Sequence, residues 1–140
     1  RGNGRFAIIV FTNSFTSSLV YTTDNFFNTI KLTEVYSNYR RIAFGNGVFV
    51  SISSFGEDSL GRINYSTDGV NWIQALSMSA GIQQLEVIFT GEKFYCVGTQ
   101  GTSYYSTNGI NWTQMTGLSS ESYTNLLYSI DGGGKQPWIS

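Results

Sequence analysis

Apolar residues in this chain occur in short runs that turn-forming residues separate. Two of the longest runs are Phe6–Phe11 and Val48–Ile52, and each follows a Gly-Asn-Gly string. Runs of this length, bounded by Gly, Asn, Asp and Ser, are typical of buried β-strands. Long stretches rich in Ala, Glu, Lys and Leu, which favour helices, are missing. The pattern therefore predicts an all-β fold of many short strands joined by tight turns.

Two sequence signatures recur with a common period. The string YSTDGVNWIQ at Tyr65–Gln74 returns as YSTNGINWTQ at Tyr105–Gln114, and an eroded copy begins at Tyr21. A glycine-containing turn followed by phenylalanine keeps the same step, at Gly2–Phe6, Gly45–Phe49 and Gly91–Phe94. A shared period of about 40–45 residues indicates a repeated structural unit.

Each signature places turn residues between strand-like runs. The Asp-Gly and Asn-Gly pairs predict hairpin turns of type I′, which need positive φ at both central residues. The tryptophan three residues past each glycine is expected on the strand that leaves the turn, where it would cover the sheet. The predicted structural turn residues are Asp68, Gly69, Trp72, Asn108, Gly109 and Trp112.

One unit then consists of four predicted strands, A to D. In the middle unit these are Arg41–Phe44, Val48–Ser53, Arg62–Ser66 and Asn71–Ala75. In the next unit they are Glu86–Phe89, Phe94–Gly98, Ser103–Ser106 and Asn111–Met115. Four short antiparallel strands in such a unit are typical of one blade of a β-propeller. A β-sandwich is the alternative architecture, but it does not explain so close a repeat.

The repeats divide the chain into about three predicted blades. Blade 1 spans about residues 1–34, blade 2 about 35–78 and blade 3 about 79–118, and strand A of a closing blade falls within about 123–140. Three blades are fewer than the four to eight of a closed ring. We therefore expect missing sequence, or another copy of the chain, to complete the propeller, and no stable monomer from these 140 residues alone. The start at Arg1, without Met or a signal-peptide pattern, indicates a processed product or fragment.

The two full strings carry a family resemblance. Ser66-x-Asp68-Gly69-x-x-Trp72 and its copy resemble the Asp-box, the bacterial neuraminidase repeat of sialidase-like propellers. With the Gly-Asn-Gly-x-Phe turn, they look like propeller repeats of bacterial secreted proteins and bacteriophage tail proteins. The usual box has one more residue between Asp and Gly, and the first copy lacks both Gly and Trp. The resemblance implies a structural turn away from the ligand-binding face, and an extracellular or virion location.

Composition argues against several classes of function. The net charge is −1 with no basic run, which disfavours nucleic-acid binding. The apolar runs are far shorter than the roughly 18 residues of a membrane span. With no histidine and one cysteine, Cys96, neither a metal site nor a cofactor is expected. Sialidases need an arginine cluster; this chain has five arginines but lacks the Arg-Ile-Pro string of that family, so an enzyme is not expected. A sialidase-like glycosidase remnant is the second alternative.

Aromatic residues on the predicted loops at one end of the blades are the candidate ligand-binding residues. They are Tyr36, Tyr39, Phe55 and Tyr123. Aromatic rings stack on sugar rings, and abundant Ser, Thr and Asn supply matching hydrogen bonds. These residues favour a non-catalytic propeller that binds a carbohydrate or cell-surface receptor, and the family resemblance implies that it belongs to a phage tail or bacterial surface protein. The alternative is that these rings pack between blades and the chain is a purely structural virion or scaffold subunit.

Overall fold

Short β-strands make up almost all of the regular structure. The structure, a computed structural model, describes residues 5–11, 18–24, 28–31, 38–54, 60–117, 126–128 and 137–139. Its strands are β1 (Arg5–Phe11), β2 (Ser18–Asp24), β3 (Asn28–Lys31), β4 (Asn38–Gly45), β5 (Val48–Ser54), β6 (Arg62–Ser66), β7 (Ile73–Ser77), β8 (Gln84–Phe89), β9 (Phe94–Gly98), β10 (Ser103–Ser106), β11 (Thr113–Gln114), β12 (Leu126–Tyr128) and β13 (Pro137–Ile139). One 3₁₀ turn, Thr99–Gly101, is the only helical element within these ranges. The predicted all-β class is confirmed.

The strands pair antiparallel with their neighbours in sequence. Strands β1–β3 form the first sheet, β4–β7 the second and β8–β11 the third. Strand β12 pairs with β13, so the predicted closing strand has a partner within the chain. The second and third sheets are therefore four-stranded meanders, as the repeat predicts.

The predicted strands A to D coincide with β4–β7 and β8–β11, apart from their ends. Strand β7 begins at Ile73 rather than Asn71, and β11 is reduced to Thr113–Gln114. At the other end of the unit, β4 and β8 begin earlier than predicted, because each contains a β-bulge. The register shifts between Tyr39 and Arg41 in β4 and between Gln84 and Glu86 in β8. An extra residue at a bulge breaks the two-residue alternation that the strand prediction follows.

Among the predicted turns that lie in the described ranges, the type I′ turn occurs at one. Asn46 and Gly47 have φ values of 49° and 77° and join β4 directly to β5, as this turn requires. At Asp68-Gly69 and Asn108-Gly109 only the glycine has positive φ, and the loops run from 67 to 72 and from 107 to 112. The type I′ prediction is therefore wrong at these two positions, because a longer loop separates the strands.

Both faces of the second sheet are covered by neighbouring sheets. On one face, Val50 and Ile52 of β5 pack with Val87, Phe94 and Cys96 of the third sheet in the largest buried cluster. On the other face, Tyr39 and Ile42 of β4 pack with Ile9 of β1. Strands β4 and β8, which are the first strands of their units, also contact each other.

The contact between β4 and β8 is close because one of its residues is glycine. A Cβ atom at Gly45 would lie 2.2 Å from Cγ of Phe89, so the ring rests directly on the backbone of β4. Any larger residue at position 45 would push the two sheets apart.

Candidate functional site

The loop from 67 to 72, which we call the Asp68 turn, is built around one carboxylate. Oδ1 of Asp68 accepts hydrogen bonds from the backbone N–H groups of Val70 and Asn71, both at 2.8 Å. Its Oδ2 accepts a bond from Nδ2 of Asn71 at 2.7 Å. The hydroxyl of Ser66 donates to Oδ1 at 2.9 Å and accepts a bond from the N–H of Gly69 at 2.8 Å. Both oxygens of the carboxylate therefore hold the turn.

The loop from 107 to 112, the Asn108 turn, has the same construction with an amide. Oδ1 of Asn108 accepts bonds from the N–H groups of Ile110 and Asn111, both at 2.9 Å. The hydroxyl of Ser106 accepts the N–H of Gly109 at 2.8 Å. The single carbonyl oxygen of an asparagine is enough for the backbone bonds, which explains why Asn can stand where the first turn has Asp.

These bonds change the acidity of the aspartate. Burial by itself raises the pKa of Asp68, but the hydrogen bonds from Asn71, Val70 and Ser66 stabilise the ionised form and lower the pKa well below its ordinary value of 3.8. The carboxylate is thus charged at neutral pH, with its oxygens directed into its own loop.

The Asn108 turn also contacts the neighbouring sheet. A Cβ at Gly109 would lie 2.9 Å from Cγ2 of Val50 in β5. Nδ2 of Asn46, in the hairpin turn of the second sheet, donates to the carbonyl oxygen of Thr107 at 2.9 Å. This turn therefore takes part in the contact between the second and third sheets, besides closing its own sheet.

The two tryptophans pack on aromatic rings at the sheet contacts. The ring of Trp72 lies 6.3 Å from that of Tyr39, and the ring of Trp112 lies 6.3 Å from that of Phe94. Nε1 of Trp112 also donates to the carbonyl oxygen of Gly109 at 3.2 Å. Both tryptophans precede their strands, so their predicted position on the strand leaving the turn is wrong by one residue.

Of the four candidate ligand-binding residues, only Tyr39 lies in the described part of the chain. Tyr36, Phe55 and Tyr123 fall outside it. Tyr39 lies in β4 with 2% of its surface exposed, and it packs against Ile9 and Trp72. Burial raises the pKa of its hydroxyl to about 12, although the positive charge of Arg62 acts in the opposite direction. Tyr39 thus packs between the first two sheets.

The side chains of Arg62 and Cys96 are engaged within the sheets. Nε of Arg62 donates to Oε1 of Gln74 at 2.9 Å. The thiol of Cys96 is fully buried and donates to Oε1 of Gln84 at 2.8 Å. Burial, with a smaller effect from the charge of Glu86, raises the pKa of this thiol well above its ordinary value. Neither side chain is arranged as a nucleophile or a base.

The described residues contain neither a metal-ligand cluster nor a membrane-spanning helix. Within the described ranges, no three His, Cys, Asp or Glu side chains come close enough together to hold a metal ion. Within the same ranges, no helix is both long and apolar enough to cross a membrane. The adjacent carboxylates Glu57 and Asp58 lie outside those ranges.

The first copy of the turn differs from the other two. Asp24 lies within β2 and pairs with Asn28 of β3, whereas Asp68 lies beyond the end of its strand. Without the glycine, the first copy lacks the residue that adopts positive φ in the other two turns. In this copy, therefore, the strand extends as far as the aspartate.

Comparison with known proteins gives no family for this chain. No protein-family model matches the sequence, and no curated protein matches it either. The class that the structure defines is an all-β protein of antiparallel four-stranded sheets, and the likeness to Asp-box repeats depends on the turn sequences alone.

Proposed function

We propose that this chain is a segment of a non-catalytic β-propeller whose loops bind a carbohydrate or a cell-surface receptor. The observation that carries the proposal is that one sheet-to-sheet contact occurs twice. Ile9 of β1 packs on a cluster that contains Trp72 of the second sheet, and Ile52 of β5 packs on a cluster that contains Trp112 of the third. Repeated use of one interface is what a ring of identical blades requires.

The first strands of successive units supply a second argument. Nε of Arg41 in β4 and Oε2 of Glu86 in β8 form an ion pair at 3.2 Å, and both residues immediately follow the bulge of their strand. Equivalent residues of neighbouring units thus meet, which agrees with successive sheets arranged around one axis. A two-sheet sandwich has one outer face on each sheet, whereas the second sheet here is covered on both faces.

The loops at the end opposite the Asp68 and Asn108 turns favour a binding role for that end. In these two turns, the side-chain oxygens of Asp68 and Asn108 accept hydrogen bonds from the backbone of their own loops. At the other end, Ser79, Ala80, Gly81 and Gln100 are exposed and uncharged. Neutral hydroxyl and amide groups suit the hydroxyls of a sugar better than they suit an ionic ligand.

A purely structural virion or scaffold subunit is the second candidate. The burial of Tyr39 supports it, because one of the four candidate ligand-binding rings packs between two sheets. The two functions differ in whether Tyr36, Phe55 and Tyr123 reach a ligand.

Glycan-array and cell-binding assays on the protein in its complete assembly distinguish the two functions. If the loops bind, Tyr36→Ala, Phe55→Ala and Tyr123→Ala each weaken binding at least about 10-fold, as loss of a stacked ring would. Thr107→Ala, on an exposed residue of the Asn108 turn, is the matched control and leaves binding unchanged. Absence of binding to any glycan or cell, with both ends of the blades buried in the assembly, would establish the scaffold function instead.

A further inference from the structure

Buried polar atoms without a partner are concentrated on one face of the second sheet. Five buried side-chain nitrogen or oxygen atoms have no hydrogen-bond partner among the described residues. Four of them belong to the second sheet and its turn: Ser51 Oγ, Ser53 Oγ, Asn64 Nδ2 and Trp72 Nε1. Ser51 and Ser53 have no exposed surface, and Asn64 is 4% exposed. Water would normally satisfy such groups if they reached the solvent.

Three of these residues are neighbours in the sheet, and we call them the polar strip. Ser51 lies opposite Asn64 of β6 and opposite Ile42 of β4. Ser53, two residues further along β5, lies opposite Tyr39 of β4. Because Ile42 and Tyr39 pack with Ile9 of β1, the polar strip faces the first sheet.

At two of the corresponding positions of the third sheet the side chain is hydrogen-bonded, and the unpaired Oγ of Ser103 lies elsewhere in that sheet. Cys96 stands where the second sheet has Ser51, and its thiol donates to Gln84. Nε2 of Gln84 in turn donates a hydrogen bond to Oγ1 of Thr102 at 3.5 Å. Trp112, the counterpart of Trp72, donates to Gly109. The same place in the repeat is therefore bonded within the protein at one sheet contact and left unpaired at the other.

We propose that ordered water molecules occupy the contact between the first and second sheets and bond the polar strip. A buried hydroxyl or amide without a bond is costly, and each of the three adjacent residues would carry that cost. A water molecule both donates and accepts, and it needs two to four polar partners, which the adjacent hydroxyls of Ser51 and Ser53 and the amide of Asn64 provide. The strip itself carries no carboxylate, so it suits water rather than a metal cation.

Ordered water makes the contact between the first and second sheets different from the contact between the second and third, although the same repeat builds both. The contact between the second and third sheets is formed by apolar residues such as Val50, Val87 and Phe94, with a directly bonded thiol. The contact between the first and second sheets combines the apolar group around Tyr39 with a hydrated strip. Hydration is thus a property of this one contact and not of the repeat.

A crystal structure of the unaltered protein, at a resolution that reveals ordered water, tests the proposal directly. The expected result is density for water within hydrogen-bond distance of Ser51 Oγ, Ser53 Oγ and Asn64 Nδ2. Direct bonds between these atoms and other protein groups, or density for a molecule other than water, would overturn it.

Thermal unfolding supplies a measurement that does not depend on crystals. If water bonds the hydroxyl, Ser51→Ala removes one hydrogen-bond partner of that water and lowers Tm by about 2–5 °C. If the hydroxyl is unpaired, the same change removes a costly group and raises Tm, which contradicts the proposal. Ser77→Ala, on an exposed residue of β7 in the same sheet, is the control and leaves Tm unchanged within about 1 °C.

Discussion

At the scale of single residues, a serine and an acidic or amide residue two positions later build the loop. Ser66 fixes the N–H of Gly69, while Asp68 fixes the next two N–H groups. Ser106 and Asn108 repeat these bonds. Because the side chains replace the backbone bonds that a tight hairpin would make, the chain can leave one strand and enter the next through a longer loop.

Asp68→Asn tests the contribution of the negative charge. Asn cannot accept a bond from Nδ2 of Asn71 as well as keep the backbone bonds, so we expect the variant to be less stable by about 1 kcal/mol at pH 7. The pKa of Asp68 is lower in the folded state, so its contribution is present above pH 3.8 and is lost as the pH falls towards the lower folded value. Urea unfolding at pH 7 and pH 2.5 should therefore give a difference between the two proteins that narrows in acid. A difference that widens in acid would contradict the assignment.

Gly109→Ala tests the contact between the Asn108 turn and β5. Gly109 has φ of 74°, and its added Cβ would meet Val50, whereas Gly117 has φ of 81° and nothing within 4 Å. Both alanine variants carry the strain of a left-handed residue, about 1–2 kcal/mol. We expect Gly109→Ala to cost at least about 1 kcal/mol more, because β5 must also move. Equal losses in chemical unfolding would mean that the contact is not tight.

At the scale of elements, β4 and β8 join neighbouring sheets at equivalent places. Gly45 admits the ring of Phe89, and Arg41 meets Glu86. The first strand of each unit therefore contributes both to its own sheet and to the alignment of the next one.

A double-mutant cycle on Arg41→Glu and Glu86→Arg measures the ion pair. Arg41 is 56% exposed, so the expected coupling is small, about 0.2–1 kcal/mol, and falls as salt is raised. Each single variant places like charges together, and the double variant restores the attraction. Arg40→Glu, on the exposed neighbouring residue, is the control and shows no coupling to Glu86→Arg. Coupling of equal size at Arg40 would show that only long-range charge is being measured.

The sequence allowed the elements to be predicted where a residue type is compulsory. Gly47 must adopt positive φ, and the repeated turn strings located β5, β6, β9 and β10 almost to the residue. The bulges at Arg40 and Leu85 could not be predicted, because an inserted residue has no characteristic side chain. The burial of Tyr39 depends on Ile9 and Trp72, which are distant in sequence, so a local pattern assigned it to an exposed loop.

At the scale of the whole molecule, the second sheet lies between the first and third sheets, which cover its central strands on both faces. Strand β5 lies at the centre of this arrangement, because Phe49, Val50 and Ile52 are all fully or almost fully buried. A strand with apolar residues on both faces is expected when sheets cover it on both sides.

The thiol of Cys96 reports whether this arrangement opens. It is fully buried between the second and third sheets and its pKa is raised, so we expect its reaction with a thiol reagent to be at least about 10³-fold slower than in unfolded protein. Absorbance during labelling measures the rate. Ser79→Cys in a Cys96→Ala background, with the new thiol on an exposed loop, should react at once. Labelling of Cys96 at the same speed would mean that the two sheets separate readily.

The positions of Trp72 and Trp112 give the protein two separate optical reporters. Trp72 lies against Tyr39 and faces the first sheet, while Trp112 lies against Phe94 within the cluster shared by the second and third. In a background in which Trp138 is also phenylalanine, replacing either of these two indoles by phenylalanine would leave the other to sense only its own boundary. The fluorescence of each variant during denaturation would then reveal whether the two contacts between sheets are lost together or one after the other.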